Sequence, residues 1–327
     1  MYPKKYQETF RNVLSQHLPS LVVAILISCA VSTPASGQTQ SGTMGSGRSA
    51  KTTTMTGEPL RIPDWSPQVR ARLQKDLEIA WAVRMVAPER EDSYIWLGRR
   101  LGYLTRWSEA IEVFTQGLEK FPNSYKLLRF RGRHLARSRK IEAALADYRR
   151  AAELVEHVQD SFEPDGIINA RHQFLGTYRS NIHYYLGQTS WAAGDYEGVL
   201  RGMERSAREP LTDHADRLVA TTYWRYLALR RLGRHGEAAD LADAVPEGLD
   251  LVENFTYYDA VLYFKGVRSE EELLPEADSI VKFAIATKAL IDGNKAYAQL
   301  LWEEIIDASP QGFWPAEYDL LQAREDL

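Results

Sequence analysis

Apolar residues between positions 94 and 122 recur at helical spacing in two short runs. The first run has its apolar face at Tyr94, Leu97, Gly98 and Leu101, and the second at Trp107, Ala110, Phe114 and Gly117. Pro122 ends the unit. The small residues Gly98 and Ala110 let two helix backbones approach closely. The pattern predicts a helical hairpin that cannot bury its apolar face alone and therefore needs neighbouring hairpins.

The same pattern returns 34 residues later, at Leu128, Gly132, Leu135, Ile141, Ala144, Tyr148 and Ala151. A third copy contains Leu186-Gly187 and Gly194-Asp195-Tyr196, a looser one has Gly233, His235 and Ala238, and the last has Gly293, Ala298, Trp302 and Pro310. A capped helix from Pro67 to about Val86 precedes the copies, and a helix from about Trp314 to Asp326 follows them. Alternating apolar residues are too few to predict a sheet.

A 34-residue helix–turn–helix period with Leu-Gly, Gly-Asp-Tyr, Ala, an aromatic residue and Pro at these offsets resembles the tetratricopeptide repeat family. The resemblance covers roughly residues 66–327. It implies an all-α fold, an α-solenoid whose repeats form a right-handed superhelix with a concave groove. It also implies a protein or peptide partner and no cofactor. The period breaks at an insertion, 157–179, and between 247 and 278, and Tyr226 stands where the family carries a small residue.

In this family the first helix of each repeat lines the groove, so its open face holds the candidate partner-binding residues. These are Arg99, Tyr103, Arg129, Arg133, Arg137, Asn181, Tyr184, Gln188, Tyr223 and Arg230. Arginine pairs with carboxylates through two parallel hydrogen bonds and tyrosine offers area for stacking, so this surface suits an extended acidic peptide. The alternative is that the arginines are solvated residues of long helices. Three like charges spaced four apart repel one another, which argues against that alternative.

The insertion at 157–179 gathers polar residues around a chain reversal, among them Asp165, Arg171 and His172. Three interpretations stay open: a plain connection, a loop that caps the groove, and a metal or acid–base site that includes His183. The histidine and carboxylate spacings match no standard metal site, so no metal is predicted. The alternatives to a binding module are an all-helical enzyme beneath this insertion and an oligomer formed through the aromatic segment 254–264.

The N-terminus carries basic residues and then a ten-residue apolar core at 18–27, which predicts a signal peptide over residues 1–28. Leu26-Ile27-Ser28-Cys29 resembles a bacterial lipobox, which would make Cys29 a lipidation site, whereas Ala35-Ser36-Gly37 suits an ordinary signal peptidase. These alternatives predict a lipid-anchored protein of the cell envelope or a free periplasmic or secreted one. Residues 29–62 are rich in Ser, Thr and Gly and predict a disordered linker before the repeat domain at 63–327.

The net charge and the absence of catalytic motifs disfavour some classes of function. The chain has 40 Lys and Arg against 44 Asp and Glu, a formal charge of −4, which gives no reason to expect a nucleic-acid partner. Its single cysteine is Cys29, and neither a nucleophile elbow nor a dinucleotide fingerprint is present. The sequence therefore predicts a non-catalytic interaction module of the bacterial cell envelope.

Overall fold

The computed structural model describes residues 53–212, 214–309 and 311–325. Its helices are α1 (Pro67–Val86), α2 (Glu91–Tyr103), α3 (Trp107–Lys120), α4 (Tyr125–Arg137), α5 (Ile141–Val155), α6 (Tyr178–Trp191), α7 (Tyr196–Ala207), α8 (Ala215–Arg231), α9 (His235–Asp243), α10 (Phe255–Phe264), α11 (Glu270–Leu273), α12 (Ser279–Ile291), α13 (Lys295–Ala308) and α14 (Trp314–Glu325). Within these ranges, no helix is long and apolar enough to cross a membrane. The predicted signal peptide and Cys29 lie outside them.

Side-chain caps fix where several helices begin. The Ser66 hydroxyl accepts the backbone N–H of Val69 at the start of α1, as the sequence predicts. Thr177 and Ser180 form a capping box that begins α6. Asp195 caps α7 by accepting the N–H of Gly198. These caps satisfy backbone donors that would otherwise have no partner, so the hairpins begin at defined residues.

Small residues let the helices of each hairpin pack closely. A Cβ placed on Gly98 would lie 2.4 Å from the Phe114 ring, and one on Gly132 would lie 3.1 Å from the Tyr148 ring. Both rings are fully buried. Consecutive helices pack as hairpins in α2–α3, α4–α5, α6–α7, α8–α9 and α12–α13. The prediction of an all-α solenoid of helical repeats is confirmed for the part of the chain that the structure describes.

The irregular stretch between 247 and 278 contributes α10, which packs against α8 and α12. The Tyr226 ring on α8 stacks on Phe264 of α10 with centroids 3.8 Å apart. Packing against α10 therefore accommodates the large side chain of Tyr226 at a position where the repeat family usually has a small residue. The Tyr184 hydroxyl donates to that of Tyr257 on α10 at 3.0 Å. Within α10, Ala260 and Val261 are buried, most of the aromatic side chains are partly buried, and Phe255 is 56% exposed.

The C-terminal helix α14 returns to the earlier repeats. Its Glu317 carboxylate is fully buried and accepts from the Arg139 Nε at 2.9 Å and from the Met55 backbone N–H at 2.9 Å. Asp319 accepts from the Trp191 indole N–H on α6 at 3.2 Å. The contact at Met55 lies within the predicted disordered linker. The folded domain therefore begins before residue 63, because a buried carboxylate from the far end of the chain holds this segment.

Candidate partner-binding cavity

A cavity of about 560 Å³ lies between the first helices of successive repeats. Eight of the ten predicted groove residues line it, namely Arg99, Tyr103, Arg129, Arg133, Arg137, Asn181, Tyr184 and Gln188. Residues three or four apart share one face of a helix, and α2, α4 and α6 turn these faces toward the same space. The periodicity of the sequence thus brings together side chains up to 89 positions apart, from 99 to 188.

The other two predicted residues, Tyr223 and Arg230, do not line the cavity. Tyr223 is fully buried, and its hydroxyl donates to the Ile280 carbonyl at 2.8 Å. Arg230 donates to the Tyr226 hydroxyl at 2.9 Å, and its guanidinium lies 3.6 Å from Asp292. The physical reason is that α10 and α12 both pack against α8. The face that would be open in a regular repeat is covered there.

Four arginines from α2 and α4 form one side of the cavity, which we call the arginine face: Arg99, Arg129, Arg133 and Arg137. The Arg129 side chain is 1% exposed, and its Nη2 lies 2.8 Å from the Glu163 carboxylate. Its Nε and Nη1, and Nη1 of Arg99, are buried with no hydrogen-bond partner among the described residues. Buried cations are normally paired, so these donors favour an anion in the cavity.

Aromatic rings support the buried guanidinium groups. The Arg99 guanidinium lies 4.5 Å from the centroid of the Trp96 ring and 4.7 Å from the centroid of the Phe130 ring. The guanidinium groups of Arg129 and Arg133 lie 4.5 Å and 5.1 Å from the Tyr185 ring. Cation–π attraction offsets part of the cost of burying these charges without occupying their hydrogen-bond donors. Three donors of Arg99 and Arg129 thus still lack a hydrogen-bond acceptor among the described residues.

The arginine face sets a positive potential that the neighbouring groups report. Burial and then Arg133 lower the pKa of Arg137 to about 9. Burial, followed by Arg137 and the other three arginines, lowers the pKa of His134 well below its ordinary value and keeps the ring neutral. Burial raises the pKa of the Tyr185 hydroxyl, but the arginines outweigh it and the net shift is downward. These three directions show that the surroundings of Arg133 and Arg137 disfavour further positive charge and favour negative charge.

The insertion forms part of the cavity rim. Phe162 and Thr177 pair at its base. At its tip, Arg100 on α2 donates to the Gly166 carbonyl at 3.1 Å. A Cβ on Gly166 would lie 1.5 Å from the Tyr103 hydroxyl, so the insertion backbone and the end of the Tyr103 side chain are in close contact. Asp165 lines the cavity beside this contact.

Arg171 and His172 of the insertion do not line the cavity, and neither does His183, which follows the insertion. Arg171 is exposed and pairs with Asp250 at 2.6 Å, and His172 is also exposed. His183 lies 3.2 Å from Glu156 in a separate depression.

The acid–base hypothesis requires at least two titratable side chains of this region in one pocket. Glu163 and Asp165 both line the cavity, whereas His172 does not and His183 lies in the separate depression. Among the described residues, no three His, Cys, Asp or Glu side chains are arranged to hold a metal ion.

Several lining residues are not apparent from the repeat pattern: Glu163, Tyr185, Asp216, Arg217, Glu253 and the segment 311–314. The Arg217 guanidinium on α8 donates to Asn181 and to the Leu175 carbonyl, both at 3.2 Å, and so links α8, α6 and the insertion. Asp216 accepts three backbone N–H groups of residues 252–254. The irregular segments thus complete the cavity through long-range contacts that carry no local sequence signal.

Comparison with known proteins supports the repeat assignment over part of the chain. The sequence model of the tetratricopeptide repeat matches residues 97–157, which span most of α2 through α5. No curated protein that was compared matches the chain significantly.

Solved structures that are similar include YrrB, described as a tetratricopeptide repeat protein with an unusual peptide-binding site. Its sequence is 13% identical and the TM-score is 0.42, and the match covers 76% of this chain and 99% of YrrB. A repeat protein from Parabacteroides merdae has 15% identity and a TM-score of 0.48, covering 79% and 94%. TTC0263 from Thermus thermophilus has 14% identity and a TM-score of 0.34, covering 72% and 100%. Similarity at this level is too low to transfer a binding site.

Proposed function

We propose that this chain is a non-catalytic interaction module that binds an acidic segment of a partner protein in the cavity. The observation that carries the proposal is the arginine face. Arg99 and Arg129 are buried, and three of their N–H-bearing nitrogens have no partner among the described residues. Arg133 and Arg137 have no ion-pair partner there either. Carboxylates of a bound segment would satisfy these donors through charge-assisted hydrogen bonds.

The size and lining of the cavity support a short protein segment as the ligand. A volume of about 560 Å³ lies within the ~300–1,000 Å³ range of ligand sites in proteins. Tyr103 and Tyr184 offer rigid aromatic area, and Asn181 and Gln188 offer side-chain amides for a peptide backbone. Helical-repeat proteins use such concave surfaces for partner recognition, which agrees with the family match over residues 97–157.

We further propose that the module belongs to the bacterial cell envelope. The support is the signal-like sequence at 1–28 and the lone cysteine at the expected position of a lipobox. Growth with a labelled fatty acid tests this directly: the wild type should carry the label, and the Cys29→Ala variant should not. Label retained in the variant would exclude lipidation at Cys29. An unlabelled wild type recovered from the periplasm would favour cleavage by an ordinary signal peptidase at Ala35-Ser36-Gly37 instead.

The binding proposal is tested by comparing two arginine pairs in affinity capture from cells. Arg133→Ala with Arg137→Ala removes two cavity charges, and we expect at least tenfold less captured partner without a loss of thermal stability. Arg201→Ala with Arg205→Ala is the matched control, since these residues have the same spacing on α7 but lie outside the cavity. Equal capture by both variants would contradict the proposal.

A further inference from the structure

The cavity is also lined by four carboxylates. We call these carboxylates the acidic face: Glu163, Asp165, Asp216 and Glu253. Glu163 and Asp165 belong to the insertion, and Glu253 belongs to the irregular stretch before α10. The repeats therefore supply the arginines, while the two places where the repeat breaks supply most of the carboxylates. An exposed ion pair between Arg171 and Asp250 links these two segments outside the cavity.

The four carboxylates differ in whether the protein already satisfies them. Asp216 is committed, because it accepts backbone N–H groups of residues 252–254 at 2.8–2.9 Å. Glu163 pairs with Arg129 through one oxygen, but its other oxygen is buried with no partner among the described residues, and the side chain is only 7% exposed. Asp165 and Glu253 have no ion-pair partner in the described part of the chain. Three carboxylates thus have unused acceptor capacity.

These carboxylates are also close enough to oppose one another's charge. Burial and then Glu163 raise the pKa of Asp165. Burial, followed by Asp165 and Asp216, raises the pKa of Glu253. A cation placed between them would relieve this repulsion. Among the described residues the carboxylates are not arranged to hold a metal ion. An ammonium or guanidinium group of a peptide is a cation that a cavity of about 560 Å³ can accommodate.

We propose, on the basis of the function proposed above, that the bound segment is zwitterionic. Its acidic group pairs with the arginine face, and a Lys, Arg or amino-terminal cation a few residues away pairs with Glu163, Asp165 and Glu253. The two faces meet at the 2.8 Å pair between Arg129 and Glu163. A short segment can therefore contact both. The acidic face would also reject a purely acidic chain of the same length, because like charges would be brought together without water.

The test is a selection of random octapeptides displayed on phage against the full chain. The wild type should enrich peptides that carry at least one acidic and one basic residue. Asp165→Asn with Glu253→Gln should lose the enrichment of basic residues and retain that of acidic ones. Arg133→Ala with Arg137→Ala should lose the acidic enrichment. Circular dichroism of each variant checks that it is folded.

Affinity measurements on one selected peptide complete the test. Replacing its basic residue by norleucine should weaken binding to the wild type about tenfold and leave binding to the Asp165→Asn, Glu253→Gln variant nearly unchanged, as expected for a direct pair. Acidic peptides without a basic residue, or an equal loss with both proteins, would overturn the zwitterion proposal while leaving the arginine face in place. Absence of acidic enrichment by the wild type would overturn both proposals.

Discussion

Replacing Arg137 by methionine should stabilise the unbound protein while weakening its binding of acidic peptides. Burial and Arg133 lower the pKa of Arg137 to about 9, so the fold opposes its charge at neutral pH. The difference from the 12.5 of a free arginine corresponds to about 5 kcal/mol. Solvent screening at this half-buried position reduces the effect, and we expect a gain of about 1–3 kcal/mol. Methionine retains apolar packing where the arginine stem lay.

The pH dependence follows from the direction of this shift. Because the pKa of Arg137 is lower in the folded than in the unfolded protein, its charge costs stability at every pH below about 9. Above that pH the folded protein releases the proton and the cost declines. The stability advantage of Arg137→Met over the wild type should therefore be largest near about pH 7 and smaller near about pH 10.

Thermal unfolding followed by circular dichroism across this pH range measures the effect. Arg72→Met on α1 is the control, because Arg72 is exposed and lies outside the cavity. Its stability should stay within about 0.5 kcal/mol of the wild type. For Arg137→Met, titration with an acidic peptide selected on the wild type should show at least tenfold weaker binding. A lower melting temperature at neutral pH, or unchanged peptide affinity, would refute the electrostatic reasoning.

Two further predictions concern the fold. Gly98→Ala should lower the free energy of unfolding in urea by about 1–3 kcal/mol, because the new methyl group would lie 2.4 Å from the Phe114 ring. Gly236→Ala in α9 is the control, because no atom lies within 4 Å of its new methyl group, and it should be neutral or slightly stabilising. Equal losses of stability in the two variants would argue against the packing explanation. Glu317→Gln should cost about 3–5 kcal/mol, since it leaves the buried Arg139 guanidinium without its counter-charge, and an unchanged unfolding midpoint would contradict this.

Sequence periodicity predicted the repeat hairpins well because their packing is local. Gly98 and Phe114 lie sixteen positions apart, and Gly132 and Tyr148 repeat that spacing, so the contacts that define a hairpin are visible in the pattern itself. The same regularity explains why eight candidate residues on α2, α4 and α6 line one cavity. Helical spacing specifies a face of each helix, and stacking of similar hairpins aligns those faces.

The rest of the cavity depends on contacts that periodicity cannot express. Tyr223 occupies the expected position on α8 but is buried because α10 packs against that helix. Glu163 reaches Arg129 only because the insertion folds back across the repeat. The segment 311–314 lines the cavity because α14 is fixed by the buried pair of Glu317 with Arg139. Each of these contacts joins distant parts of the chain, and no local pattern announces it.

Photo-crosslinking from the cavity rim tests the central claim most directly. Ile167 lines the cavity and is 60% exposed, so benzoylphenylalanine can replace it without disturbing the core. Leu300 on α13, 51% exposed and outside the cavity lining, is the control position. In cells, position 167 should crosslink to a partner protein at a segment rich in acidic residues, and Arg133→Ala with Arg137→Ala should abolish that product. A product formed equally from position 300, or one that persists in the arginine variant, would contradict the account.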